Sequence, residues 1–158
     1  MADEDLSGIS GSIYHGPVNI ENCFIANFTA DGTFKAGDLI SYDTNASKAT
    51  ILTYANRFLC LGVAALNEAT DIDDIIADKV MTPILIGKGL PVYLRMATNS
   101  ATAYPGYRFK QSSSGTEKGH IMTATSTDSS FQVHGVLLET YTQNASTAKI
   151  VKVLLDTF

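Results

Sequence analysis

The stretch "HGVLLETYTQNASTAKIVKVLLDTF", residues 134–158, decides the fold class of this chain. Its first and last parts, "HGVLLET" and "KIVKVLLD", have the apolar runs and alternation that are typical of β-strands. The residues between them include Gln143, Asn144, Ala145 and Ser146, which predict a polar turn. Two strands joined by such a turn predict a closing β-hairpin.

The strand period continues through most of the preceding chain. Turns rich in Gly, Asn, Asp and Ser separate the apolar segments, for example "DTNAS" at 43–47 and "GKG" at 87–89. The predicted strands are 23–29, 38–42, 50–54, 58–64, 83–86, 91–96, 107–110, 120–124, 131–139 and 148–155. Many short strands at roughly ten-residue spacing are typical of a small, mainly antiparallel barrel or sandwich, so we predict an all-β fold.

One short helix is also predicted, in the segment "ATDIDDIIADKV" at residues 69–80. Thr70 is a suitable N-cap, and the aspartates that follow it suit the positive end of a helix dipole. The apolar residues repeat with helical spacing, at Ile72, Ile75, Ile76 and Val80. A calcium loop is the alternative for these carboxylates, but the D-x-D-x-D-G pattern is absent.

Length and composition indicate one globular domain without a membrane span. The chain has 158 residues, 45% of them apolar, and a mean hydropathy of +0.08. Only 17% are charged, and 13 Ser and 17 Thr supply much of the polarity. No window approaches 18 uncharged apolar residues, and the first residues lack the basic and apolar regions of a signal peptide. We therefore expect a protein that is made and kept in a cytosol, or assembled there into something larger.

The charge distribution argues against nucleic acid as a partner. The net charge is −5, and the bases of the second half are scattered along predicted strands and loops. A phosphate-binding groove normally concentrates such residues. We interpret them as solvated side chains or as contacts to an acidic protein partner.

Residues 1–20, "MADEDLSGISGSIYHGPVNI", differ from the rest of the chain. They are rich in Gly and Ser, and their apolar side chains are isolated from one another, so the segment buries too little surface to order by itself. It is either a flexible terminus or an arm that adds a strand to a partner's sheet. The isolated apolar residues favour the arm, with these anchors: Ile9, Ile13, Tyr14, Val18 and Ile20. We thus divide the chain into an arm, 1–20, and a β-rich domain, 21–158.

The sequence contains no recognisable catalytic, cofactor-binding or metal-binding motif. "GKG" at 87–89 lacks the rest of a P-loop, and His15, His120 and His134 have no partners at ligand spacing. Cys23 and Cys60 lie in apolar runs, where cysteine usually behaves as a small buried hydrophobe, although a disulfide remains the alternative. An enzyme is the least favoured class.

Six short signatures follow one another from residue 34 to residue 156. They are "FKAGDLISYD", "FLCLGVAA", "TPILIGKGLPVYLRM", "AYPGYRFK", "HGVLLET" and "KIVKVLLD". In this order they resemble the head-decoration, or cement, proteins of tailed phages and related viruses, including those with the β-tulip fold of the lambda-type decoration protein. The helical segment near residues 67–80 and the long "SSSGTEKG" loop depart from a minimal cement domain.

This resemblance implies a structural protein of the virion with no cofactor. Such subunits, usually trimers, sit on the outer face of an expanded HK97-type capsid and clamp neighbouring major capsid proteins against internal pressure. The family's N-terminal arm typically contacts the capsid, a role that residues 1–20 would take here. The terminal hairpin would close the barrel and leave no free strand edge.

Two alternatives remain open at this point. The first is another structural virion component, such as a head fibre base, a minor capsid protein or a tail β domain. The second is a soluble ligand-binding β-barrel, which would need exposed aromatic side chains around a pocket. The chain has no Trp, and we interpret the local aromatic group of Tyr93, Tyr104 and Tyr107 as core or subunit contacts.

Overall fold

The computed structural model describes residues 23–65, 75–144 and 146–156, and over these residues the chain is almost entirely β. The strands are β1 Cys23–Thr29, β2 Leu39–Asp43, β3 Lys48–Ile51, β4 Cys60–Ala64, β5 Met81–Met96, β6 Arg108–Gln111, β7 Ile121–Thr123, β8 Val133–Leu137 and β9 Lys149–Asp156. A 3-10 turn spans Ser130–Gln132. The all-β prediction is confirmed. No helix in this described part is long and apolar enough to cross a bilayer.

Strand β5 belongs to two sheets. Its first half pairs antiparallel with β1 and β4, in a sheet with the order β1-β5-β4-β2-β3. Its second half pairs antiparallel with β9 over eight register positions and meets β7 in a parallel contact at Met96 and Ile121. The order β5-β7-β6-β8-β9 then returns to β5, which closes a five-stranded barrel.

The two halves of β5 meet at a bulge. The prediction of separate strands at 83–86 and 91–96, with a turn at "GKG", is wrong, because Met81–Met96 is one continuous strand. Its register shifts between Lys88 and Leu90, and Gly89 has a φ of +75°. A glycine in the left-handed region permits a bulge, which bends a strand without reversing it. The sequence signal of a turn here marks the bend between the sheets.

Alternating side chains of the shared sheet enter two different cores. Leu39, Val63 and Leu85 join the barrel core, while their neighbours Ile40, Ala64 and Ile84 join a second core on the other face. The barrel core is filled by these further residues of the barrel: Leu90, Val92, Leu94, Met96, Phe109, Ile121, Leu137, Tyr141, Val151, Val153 and Leu155. Because both faces are covered, these strands carry nearly continuous apolar runs.

The terminal hairpin closes the barrel, as the sequence predicts. Strand β9 pairs with β8 on one side and with β5 on the other. The expectation that no strand edge would remain free holds for the barrel alone. In the other sheet β1 and β3 are the outer strands, and they meet only through a bridge between Ala30 and Ala49.

The helix predicted in residues 69–80 is not present over 75–80, and residues 66–74 lie outside the described chain. Ile76 pairs with Phe34 instead: the Ile76 N–H donates to the Phe34 carbonyl at 2.7 Å, and Phe34 N–H donates back at 3.3 Å. Ile76 is buried, whereas Ile75 is 64% exposed and Val80 47%. The backbone of Ile76 forms hydrogen bonds with Phe34 and therefore does not form the local hydrogen bonds of a helix.

Gly62 offers a direct test of the contact between β4 and β5. A Cβ at this position would collide with the backbone oxygen of Leu85 and lie 3.0 Å from Ile84 Cγ2. We expect Gly62→Ala to lower the free energy of unfolding by about 2–3 kcal/mol, since neither strand can move without disturbing the two cores. Urea denaturation measures this loss.

Gly115→Ala is the matched control, because no atom lies within 4 Å of its added Cβ. This control should change stability by less than about 0.5 kcal/mol. Equal midpoints for the two variants would contradict the tight contact at Gly62.

Candidate interaction surfaces

The predicted arm anchors Ile9, Ile13, Tyr14, Val18 and Ile20 lie outside the described residues. The exposed apolar side chains of the described part form other candidate surfaces. Two of these contain aromatic residues in connecting segments, and a third is a groove between residues 75–80 and the start of β5. Sequence reasoning did not identify the first of them.

The loop surface, as we call residues 53–59, projects three large apolar side chains. Tyr54 and Phe58 are each 49% exposed, and Leu59 is 62% exposed. The Arg57 guanidinium lies over both rings, 4.1 Å from the Tyr54 centroid and 4.5 Å from that of Phe58. Its Nη1 also donates to the Tyr54 carbonyl at 2.6 Å. This stacking holds a cation and two aromatic rings in one arrangement.

Asn56 fixes the loop surface to the sheet. Its side-chain oxygen accepts hydrogen bonds from the backbone and the hydroxyl of Thr53, and its Nδ2 donates to Ser41 Oγ on β2 at 2.8 Å. The Leu59 N–H donates to the Asn56 carbonyl at 2.9 Å. The loop is therefore organised before any partner binds, which reduces the entropy lost on association.

Sequence reasoning missed this surface because it extended the strands 50–54 and 58–64 over it. The observed strands end at Ile51 and begin at Cys60. The Asn56-Arg57 pair between two apolar runs was the available turn signal.

The three tyrosines of the predicted aromatic group do not act together. Tyr93 is buried at 3% exposure, whereas Tyr104 and Tyr107 are 54% and 47% exposed. The latter two, which we call the tyrosine pair, pack edge to face at 5.7 Å. Tyr93 is thus a core residue as predicted, and the tyrosine pair is a small aromatic surface on the turn before β6.

The groove between residues 75–80 and the start of β5 is small and apolar. It encloses about 180 Å³ and is lined by Ala65, Ile75, Ile76, Ala77, Val80, Met81, Thr82 and Pro83. Drug-sized ligands need roughly 300–1,000 Å³. The barrel interior is itself filled by packed side chains. Neither place fits the pocket that a ligand-binding barrel requires.

A cluster of titratable side chains lies at the loop before β7. His120 Nε2 is 3.9 Å from Asp38 Oδ1, and its Nδ1 is 3.9 Å from Glu117 Oε1. Asp38 Oδ2 accepts from the Lys35 N–H at 2.7 Å, and Glu117 accepts from the Thr98 N–H. No sequence signal joins these residues, because the fold brings them together from distant segments.

Burial governs the protonation of this cluster. Burial raises the pKa of Asp38 to about 6, against smaller lowering effects of the Lys35 N–H and the positive charge of Arg95. Burial also lowers the pKa of His120, although the Glu117 carboxylate opposes this. Since each group is shifted toward its neutral form, an ion pair between Asp38 and His120 is disfavoured. The cluster connects segments of the fold that are distant in the sequence.

His134 and Cys60 also lie in surroundings that are typical of structural residues. His134 lies on β8, and burial lowers its pKa to about 4. Cys60 is a free, partly buried thiol whose pKa burial raises to about 12, so it is unreactive at neutral pH. No group of three or more potential metal ligands occurs within residues 23–65, 75–144 and 146–156.

Comparison with solved structures identifies this architecture in two phage proteins. A chain in the capsid of Myoviridae phage XM1 matches with a TM-score of 0.60 and 12% identity, over 94% of this chain and 90% of that chain. The chain shares its fold with that protein. The N base of the head fibre protein gp8.5 of bacteriophage phi29 matches with a TM-score of 0.50 and 12% identity, over 85% of this chain and 95% of that chain.

At 12% identity these likenesses show the fold alone. No protein-family model matches the sequence, and no curated protein matches it.

The buried carboxyl of Asp38 predicts a pH-dependent difference between the wild type and Asp38→Asn. Between its ordinary pKa of 3.8 and its folded pKa of about 6, the folded state binds more protons than the unfolded state. The contribution of Asp38 to stability therefore falls as the pH rises through this window. Asn cannot ionise, so the stability of the variant relative to wild type should increase by about 2 kcal/mol from pH 4 to pH 7.

Urea denaturation of both proteins at several pH values measures this difference. His134 titrates in both proteins and cancels to a first approximation. His120 lies 3.9 Å from Asp38, so the comparison is repeated in a His120→Gln background, where its titration is removed. A difference that stays constant between pH 4 and pH 7 would show that Asp38 has an ordinary pKa.

Proposed function

We propose that this chain is a capsid decoration protein, a non-enzymatic cement subunit on the outer surface of an expanded HK97-type capsid. The observation that carries the proposal is the fold correspondence with a chain in the XM1 capsid, at a TM-score of 0.60 over 94% of this chain. The order of signatures between residues 34 and 156, which resembles that of cement proteins, supports the proposal independently of the fold. The proposed location is therefore the virion.

The loop surface suits contact with a protein shell. Tyr and Arg are enriched among residues that dominate binding energy, and Arg57 here lies between Tyr54 and Phe58. Only 17% of the chain is charged, and interface cores are depleted of charge. The proposed partners are the major capsid protein and other copies of this chain, as a homotrimer on the capsid. Nucleic acid and membranes have no part in the proposal.

Residues 1–20 complete the proposed binding mode as an arm, anchored by Ile9, Ile13, Tyr14, Val18 and Ile20. An extended arm adds backbone hydrogen bonds to a sheet edge, and its order is acquired only on binding. Many copies on one rigid lattice need only modest affinity per contact, because neighbouring sites raise the effective concentration.

A head fibre base is the second candidate, and the match to the gp8.5 N base supports it, at a TM-score of 0.50 over 95% of that chain. A fibre base would also bind a capsid, but it would occupy restricted positions. Binding stoichiometry on the shell separates these two functions. The ligand-binding barrel has less support, since the interior is packed and the groove encloses about 180 Å³.

Co-sedimentation with expanded, undecorated capsids of the source virus tests the proposed function. We expect saturable binding near one copy per major capsid protein, and weaker binding after deletion of residues 1–20. Unexpanded capsids and the free protein serve as controls. Binding to a few sites per capsid would favour the fibre base, and no binding to expanded capsids would refute the decoration role.

The double variant Phe58→Ser and Leu59→Ser tests the loop surface in the same assay. Both side chains are about half exposed or more, so stability should change by less than about 1 kcal/mol. Capsid affinity should fall about tenfold or more, because central apolar anchors typically contribute 2 kcal/mol or more.

Tyr104→Ser is the matched control, since it removes a similarly exposed ring, 54%, from the tyrosine pair. It should bind capsids like the wild type. If the double variant binds as tightly as this control, a different face meets the shell.

A further inference from the structure

The outer edge of β1 is open along most of its length. Strand β1 pairs with β5 on one side over all seven residues. On the other side, within the described residues, β3 reaches it only at its end. There Ala30 bridges Ala49, the Asp31 N–H donates to the Ala49 carbonyl at 2.7 Å, and Lys48 lies 3.6 Å from the Asp31 carboxylate.

The hydrogen-bond pattern shows which backbone groups face this open edge. The Ala30 N–H donates to the Val80 carbonyl at 2.8 Å, and the Ala30 carbonyl accepts from the Lys79 N–H at 2.9 Å, so both backbone groups of Ala30 face the side of β5. Bonded and non-bonded pairs alternate in antiparallel sheets. Ile25 opposite Leu85 and Asn27 opposite Pro83 are therefore non-bonded pairs.

Pro83 agrees with this assignment. It has no N–H to offer β1, and its carbonyl accepts from the Ala65 N–H at 2.9 Å on the side of β4. The N–H and C=O groups of Ile25 and Asn27 thus point away from β5, toward the open edge.

Nothing in the composition of β1 protects this edge. The strand reads "CFIANFT" and contains no charge and no proline. Ile25 is 56% exposed. Natural sheets usually protect such edges with Lys, Pro, a bulge or a covering segment, because an unguarded edge pairs with other strands. A strand of alternating polar and apolar side chains is the ligand that this edge would accept.

The sequence of the first 22 residues, which lead directly into Cys23, supplies a candidate for such a strand, with apolar residues at Ile9, Ile13, Val18 and Ile20. A tight hairpin onto β1 would place Glu21 in a left-handed turn position, which disfavours its own segment as the occupant. The turn signal Gly16-Pro17 lies further upstream. A reversal there would align residues 9–15 with residues 18–24, so only Leu6, Ser7 and Gly8 would lie opposite Ile25–Asn27. Glycine and serine are weak strand formers, so this arrangement would place the poorest strand residues on the open edge.

We propose that, in the protein free of capsids, the outer edge of β1 accepts a strand from residues 1–22 of a second copy of this chain. An extended segment of 22 residues spans up to about 70 Å, which is enough to reach a neighbour. Each copy both donates a strand and accepts one, so two copies can exchange strands reciprocally in a dimer, or the contact can run head to tail through several copies. Such contacts close into rings or continue as open chains.

Residue-resolved hydrogen exchange on the full chain, across a concentration series, tests this proposal. The amides of Ile25 and Asn27 should gain protection as concentration rises, together with amides of residues 1–22 and the mass measured by light scattering. The amides of Ala26 and Phe28, which bond to β5, should stay protected throughout. They are the internal control.

Asn27→Pro removes one outward N–H while leaving the bonds to β5 in place, and proline is tolerated at sheet edges. It should weaken self-association about tenfold or more. Asn27→Ala keeps that N–H and should associate like the wild type. If the proline variant does not fold, Ile25→Lys, which places a charge on the exposed edge, should weaken association in the same way.

Three results would overturn the proposal. Free exchange of Ile25 and Asn27 at every concentration would show that no strand binds the edge. Protection in a monomer would assign the edge to the chain's own segment. Concentration-dependent protection of β1 without protection of residues 1–22 would show that another strand, such as β1 of the second copy, is the donor.

Discussion

The bulge at Gly89 is the constraint on which this architecture depends. It bends β5, so that this one strand pairs with β1 and β4 before the bend and with β9 after it. A side chain at this position would have to adopt the left-handed backbone, which costs non-glycine residues energy. Because the two sheets share β5, the backbone of this strand is held in place by the packing of both cores.

Because the barrel is closed and filled, the candidate interaction sites lie on the surface of the described residues. Strand β9 pairs on both sides, and the barrel core is filled by side chains from every strand around it. A closed and filled barrel has no lumen for a ligand. The second sheet, by contrast, stays open at β1 and β3, and the loop surface between β3 and β4 presents an organised group of Tyr, Arg, Phe and Leu. This distribution is the basis of the proposed binding to other proteins.

Sequence reasoning succeeded where one residue pattern corresponds to one local structure. The predicted strand 23–29 coincides with β1, and the terminal hairpin pairs as expected. It was wrong where tertiary contacts chose between local alternatives. Gly87 and Gly89 signal a turn but form a bulge, and Ile76 fits a helical period but pairs with Phe34. In both cases a ladder with a distant strand outweighed the local preference.

The sequence by itself determined the class of the protein: an all-β domain with few charges, built from strands whose alternation is encoded residue by residue. Only the tertiary structure decided which strands share a sheet, that Asp38 and His120 meet, and that Ile25 and Asn27 direct their backbone groups to an open edge. The physical reason is that alternation specifies which face a side chain occupies, whereas pairing partners depend on contacts between residues far apart in the chain.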